Sequence, residues 1–194
     1  MNKKDTLKKA YELGANYEAR ATDCCQSTIA AIQDAIGCRN DDIFRAGSPL
    51  AGGLGFSWKG TCGALVGATM VIGQLYGRTR AEFDFDTKRK IDDPDFDADA
   101  ATKGWELARE LYELFLINYG SCICFDVSDK VIGRSEVELL IRPDSPAKSQ
   151  ISSKIRKLSP HSKEGCGSVV GNAAKWAAEI ILREGIPEDM KIYS

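Results

Sequence analysis

The sequence predicts a mainly α-helical protein: a compact bundle of several helices joined by glycine-rich loops, with helix N-termini converging on a cysteine cluster. Three observations support the helical class. Apolar residues recur at helical spacing in nearly every long segment, no run alternates apolar and polar residues as a strand would, and glycine or proline stands where the periodic segments stop. With 194 residues, 43% hydrophobic and 28% charged, the chain is expected to be one domain over 1–194 that buries its own core.

Residues 5–20 carry Leu7, Ala10, Tyr11, Leu13, Ala15 and Tyr17 among Lys and Glu, with Gly14 as a weak point or a bend. A second helix is expected from Thr22 or Asp23 as N-cap, through Ile29, Ile32 and Ile36, to Gly37 as its stop. The stretch from Gly47-Ser48-Pro49 to Gly52-Gly53-Leu54-Gly55 is too rich in glycine for regular structure. Cys62 to Tyr76 reads as a buried helix capped by Thr61 and closed by Gly77. Residues 100–118 form another, with Trp105, Leu107, Leu111, Tyr112 and Phe115 expected inside. Val131 to Arg142 is ambiguous. The last helix spans Gly165 to Glu184, faces Val169, Val170, Ala173, Ala174, Trp176, Ala177, Ile180 and Ile181 inward, and ends at Gly185 and Pro187.

Charge excludes several functions. Lys plus Arg number 26 against 28 Asp plus Glu, a net charge of −2, which argues against nucleic-acid binding. No apolar run reaches the roughly 18 residues of a membrane span, and the basic N-terminus has no apolar block behind it, so no signal peptide is expected and the cytoplasm is the default compartment. Residues 81–100 hold eight acidic and three basic side chains and read as a solvated acidic insertion. Within it, Asp93, Asp95 and Asp97 lack the glycine and closing glutamate of a calcium loop.

Seven cysteines accompany a single histidine, His161. A reducing compartment does not favour structural disulfides, so this surplus points to metal binding or thiol chemistry, and one histidine rules out a His-rich zinc centre. Cys25, Cys62 and Cys166 fall in the first turn of expected helices, and Cys124 does so too if Ser121 caps a short turn. There the unpaired N–H groups and the positive helix end stabilise a thiolate, so lowered thiol pKa values are expected. Cys24 points about 100° away from Cys25 on a helix, as a packing residue or an alternate ligand. Cys122 is a supporting thiol or an alternate to Cys124. Cys38, at a helix C-terminal end, is a bystander. His161 reads as a loop residue, and Trp58-Lys59-Gly60-Thr61 as a wall of the cysteine pocket.

Cys62-Gly63-Ala64-Leu65-Val66-Gly67 and Cys166-Gly167-Ser168-Val169-Val170-Gly171 look like two copies of one device, a cysteine opening a helix whose first turns lack side chains. Helical glycine costs about 1 kcal/mol relative to alanine, so Gly63 and Gly67 imply close approach of another backbone or of a bulky ligand. The ordered set Cys25, Cys62-Gly63-Ala64-Leu65-Val66-Gly67, Gly120-Ser121-x-x-Cys124 and Cys166 resembles the redox-active family named for its pattern C_GCAxxG_C_C, over roughly Thr22 to Leu182. Gly63, standing between Cys62 and Ala64, departs from the strict order of that name. The resemblance implies a small helical protein with redox-active or metal-binding cysteines. A related module is similar to part of the split-Soret cytochromes, which carry haem, but the chain has no Cys-x-x-Cys-His, so covalent haem is not expected.

The leading expectation is a redox protein, an electron carrier or oxidoreductase with an unidentified redox partner. In it Cys25, Cys62, Cys124 and Cys166 hold an iron–sulfur cluster, with Gly63 and Gly67 beside it. The alternatives are metal-free thiol–disulfide chemistry with Cys25 or Cys62 as nucleophile, and a structural zinc held by four thiolates, for which the usual paired spacing is missing. A pure interaction domain, dimerising through the glycine-faced helices, is a further alternative.

Overall fold

The structure, a computed structural model, describes residues 2–86, 99–141 and 163–190. The centre of the acidic stretch, with Asp93, Asp95 and Asp97, and the loop holding His161 lie outside the described residues.

Nine α-helices are present among the described residues: α1 (Lys3–Ala21), α2 (Cys24–Ile36), α3 (Asp41–Gly47), α4 (Gly63–Tyr76), α5 (Arg80–Asp86), α6 (Asp99–Tyr119), α7 (Cys124–Ile132), α8 (Arg134–Ile141) and α9 (Cys166–Glu184). The only β pairing among them is an isolated antiparallel bridge between Thr61 and Ile123. Local chemistry sets the boundaries. Asp23 caps α2 by accepting the Gln26 N–H at 2.9 Å, and Gly37 ends it in the left-handed region at φ 76°. Asn40 caps α3 in the same way through the Ile43 N–H. That short helix was not expected, because its apolar content is too small to show a period. The ambiguous stretch from Val131 resolves into the end of α7 and the whole of α8. The cap of α4 is Cys62, one residue beyond the expected Thr61.

α1 packs along α9 and α2, α2 against α4 and α9, and α4 against α6 and α9. The core between them is built from Ile29 and Ile32, Val71 and Ile72, Leu111 and Phe115, and Val170, Ala174 and Ile181, all fully buried. One expectation fails on α6. Leu107, Leu111, Phe115 and Tyr119, four residues apart, form the buried stripe, which turns Trp105 out to 64% exposure and Tyr112 to 40%. Trp176 is part-buried against the rings of Phe115 and Tyr119.

Glycine sets the two tightest crossings. A Cβ on Gly14 would sit 3.1 Å from the Gly171 Cα, and one on Gly67 would sit 2.5 Å from the Cys25 carbonyl oxygen. Gly14 therefore marks a contact with α9 rather than a bend. The glycine faces of α4 and α9 meet α2 and α1 within the chain: Gly63 and Gly67 lie against α2, and Gly171 against Tyr11. Gly73, on the exposed side of α4, has nothing within 4 Å.

Two substitutions on one helix are thus expected to have opposite effects. Gly67→Ala should destabilise by about 2–3 kcal/mol because backbone must move. Gly73→Ala should stabilise by roughly 0.5–1 kcal/mol through helix propensity. Urea denaturation followed by circular dichroism measures both.

Candidate functional site

Five of the seven cysteines sit at helix starts. Cys24 and Cys25 open α2, Cys62 caps α4, Cys124 opens α7 and Cys166 opens α9. The loop between α3 and α4 stitches them together. The Cys62 N–H donates to the Cys122 carbonyl at 2.7 Å, the Cys124 N–H to the Gly60 carbonyl at 2.9 Å, and the Phe125 N–H to the Trp58 carbonyl at 2.9 Å. Gly53 packs against the Cys124 Cβ, and the Gly52 N–H points at the Cys24 sulfur at 3.5 Å. In this loop Gly52 to Phe56 all lie at positive φ, including Leu54 at 71° and Phe56 at 57°, and Trp58 follows at 65°. A left-handed conformation costs a non-glycine residue about 1–2 kcal/mol. The stitching to the α7 start holds this strained turn over the cysteines.

The adjacent pair at the start of α2 divides. Cys24 lies over Gly63, so closely that a Cβ there would collide with its sulfur, and the charges at Cys62 and Cys166 act on its thiol. Cys25 is fully buried and turned toward Gly47 and Ile29; apart from burial, the charge acting on it is that of Asp23. The thiols brought into one another's fields are therefore those of Cys24, Cys62, Cys124 and Cys166. Cys25, which the sequence groups with Cys62, Cys124 and Cys166, is acted on by burial and Asp23 rather than by another thiol. Ser128, one turn after Cys124 on α7, sets its Oγ 3.9 Å from the Cys166 sulfur. Cys122 is part-buried and tied in through its carbonyl. Cys38 is buried at the far end of α2, where the Gln74 side chain donates to its carbonyl at 2.7 Å. Gly63 and Gly67 face the α2 backbone and the Cys24 sulfur, which explains their missing side chains without a ligand.

The sequence expectations do not include one buried residue that acts on these thiols. Glu18 of α1 is 0% exposed, and its charge acts on Cys24, Cys62, Cys124 and Cys166 alike. Its signal was legible: Leu7, Ala10, Gly14 and Glu18 follow one another at spacings of three and four, placing the carboxylate on the buried stripe. Tyr119, held by the Asn172 amide at 3.0 Å, lies near enough to Cys62 and Cys166 for them to act on its hydroxyl, which is pushed up to about 12, first by burial.

The expectation of lowered thiol pKa values is overturned. Burial is the largest influence throughout: it pushes Cys62 up to about 12, Cys25 to about 12 and Cys124 to about 11, and Cys24 and Cys166 well above the usual thiol range. Neighbouring cysteines and Glu18 push the same way. The N–H groups of Ala64 and Leu65 do favour a Cys62 thiolate, so the helix-start effect is present, but desolvation outweighs it. Among the described residues, no three His, Cys, Asp or Glu side chains are gathered closely enough to hold a single metal ion.

Among the described residues the fold is helical, and five of its thiols stand at helix starts. The chain belongs to the family described as "Putative redox-active protein (C_GCAxxG_C_C)", whose model matches residues 22–180. No curated protein and no solved structure matches it. No described helix is long and apolar enough to cross a membrane.

The raised thiols fix a pH dependence. A group whose pKa is near 9 unfolded and about 12 folded keeps more protons in the folded state between those values. The metal-free protein should therefore hold full thiol-linked stability below pH 9 and lose it progressively up to about 12. Urea midpoints measured from pH 7 to 11 test this; a midpoint that rises over that range contradicts it.

Proposed function

We propose that the protein is an electron carrier or oxidoreductase in which the thiols of Cys24, Cys62, Cys124 and Cys166 hold an iron–sulfur cluster. What supports this reading is that the thiols of Cys24, Cys62, Cys124 and Cys166, from the starts of four helices, lie near enough for each to act on another's ionisation. Soft thiolate donors on rigid elements match such a cluster in number and chemistry. The chemistry it supplies when bound is one-electron transfer.

The surrounding residues fit that task. N–H groups of Gly52, Ala64 and Leu65 are directed at the sulfurs, where they favour negative charge and raise a reduction potential, while the Glu18 carboxylate acts in the opposite sense. Burial keeps water away, and Cys166, part-exposed, gives the chamber an edge toward a redox partner. A bound cation would also reverse the pKa balance, since a coordinating thiol is deprotonated outright.

Two alternatives are less well supported. Thiol–disulfide exchange needs a thiolate near neutral pH, whereas burial holds these thiols protonated. A structural zinc usually takes closely paired ligands, and neither Cys24-Cys25 nor Cys122-x-Cys124 has the usual two- to four-residue spacer.

Protein purified without oxygen should be brown and contain iron and sulfide. Cys24→Ala and Cys62→Ala should lose the visible absorption, while Cys38→Ala and Cys25→Ser should keep it. A colourless, iron-free protein after anaerobic reconstitution contradicts the proposal.

A further inference from the structure

Away from the thiol chamber, α4 and α6 border an open cleft made of two joined cavities that share Thr69, Trp105 and Ala108. One, of about 730 Å³, is floored by Leu65, Val66 and Met70 and flanked by Trp105 and Tyr112, with Arg109 also lining it. The other, of about 590 Å³, continues over the bare backbone of Gly73, Gly77 and Gly104 to Arg78, Arg80 and Phe83. Both volumes fall within the roughly 300–1,000 Å³ typical of small-molecule sites.

We propose that this cleft binds a planar heteroaromatic ligand carrying a phosphate, of the class of a flavin or nucleoside monophosphate. The exposed Trp105 and Tyr112 offer flat faces beside an apolar floor, a place for a ring to stack. Among the described residues, the charged groups of the lining are guanidinium donors: Arg109 in one half, Arg78 and Arg80 in the other. Among the described residues no carboxylate lines either cavity. Such a lining selects ligands rich in acceptors and negative charge. Arg78 and Arg80 both lie over the Phe83 ring, at 4.9 and 5.5 Å, which holds their guanidiniums near the cleft. Arg80 also pairs with Asp84 at 2.8 Å, so an arriving phosphate shares that guanidinium with the carboxylate. The three glycines leave space along the path between ring and phosphate. At its other end the cleft reaches Thr61, the residue before Cys62. A role for the ligand as electron partner rests on the proposed function; the binding does not.

Flavin mononucleotide, whose fluorescence is quenched by stacking on an aromatic ring, is the probe, with riboflavin as the form lacking phosphate. Saturable quenching by the full chain is expected, with riboflavin binding about tenfold more weakly for want of the charge-assisted contacts. Trp105→Ala should abolish the quenching, and its exposed position lets the fold survive, as unchanged circular dichroism would verify. Arg78→Ala/Arg80→Ala should weaken flavin mononucleotide about tenfold and leave riboflavin unchanged. Absence of saturable quenching up to millimolar probe, equal affinity for the two flavins, or quenching that survives Trp105→Ala overturns the proposal. Because the titration is read on protein with or without iron, its failure is separable from failure of the cluster reading.

Discussion

The cysteine chamber depends on two places where helix backbones touch. Gly14 on α1 meets Gly171 on α9, and Gly67 on α4 meets the carbonyl of Cys25 on α2. Any side chain at these crossings would push the helices apart and separate the starts of α2, α4 and α9, from which three of the clustered thiols project. Glycine's conformational cost in a helix is offset by that proximity. The fourth thiol, Cys124, arrives by a different route: a strained loop at positive φ is bonded to the start of α7 and draws it in.

The electrostatics of the chamber follow from burial. Helix starts favour thiolates, but burial, the neighbouring thiols and the Glu18 charge all oppose ionisation of Cys24, Cys62 and Cys166. Alone, the chamber therefore keeps its thiols protonated. It becomes favourable for thiolates only with compensating positive charge, a condition the proposed cluster would meet. Glu18 sharpens this, since one carboxylate adds negative potential at all four sulfurs.

Most of the fold was legible in the sequence because its long helices are strongly periodic and carry clear stops at Gly37, Gly77 and Gly185. The placement of four cysteines at helix starts was legible for the same reason. Three things were not. The seven-residue α3 is too short to show a period. The choice between Cys24 and Cys25 turns on which face of α2 meets Gly63, a tertiary fact. The outward turn of Trp105 runs against the default that tryptophan belongs inside, and only the register of Leu107, Leu111 and Phe115 reveals it. Glu18 was legible too, since its spacing from Leu7, Ala10 and Gly14 places it on the buried stripe of α1. The sign of the thiol pKa shifts was missed because helix-start stabilisation can be read locally, whereas desolvation cannot.

The central claim is that sulfurs far apart in the chain surround one centre. X-ray absorption at the iron edge of anaerobically prepared protein tests this most directly. The account predicts a first shell made only of sulfur, together with iron–iron scattering. A shell dominated by nitrogen or oxygen, or iron removed by simple gel filtration, would contradict it.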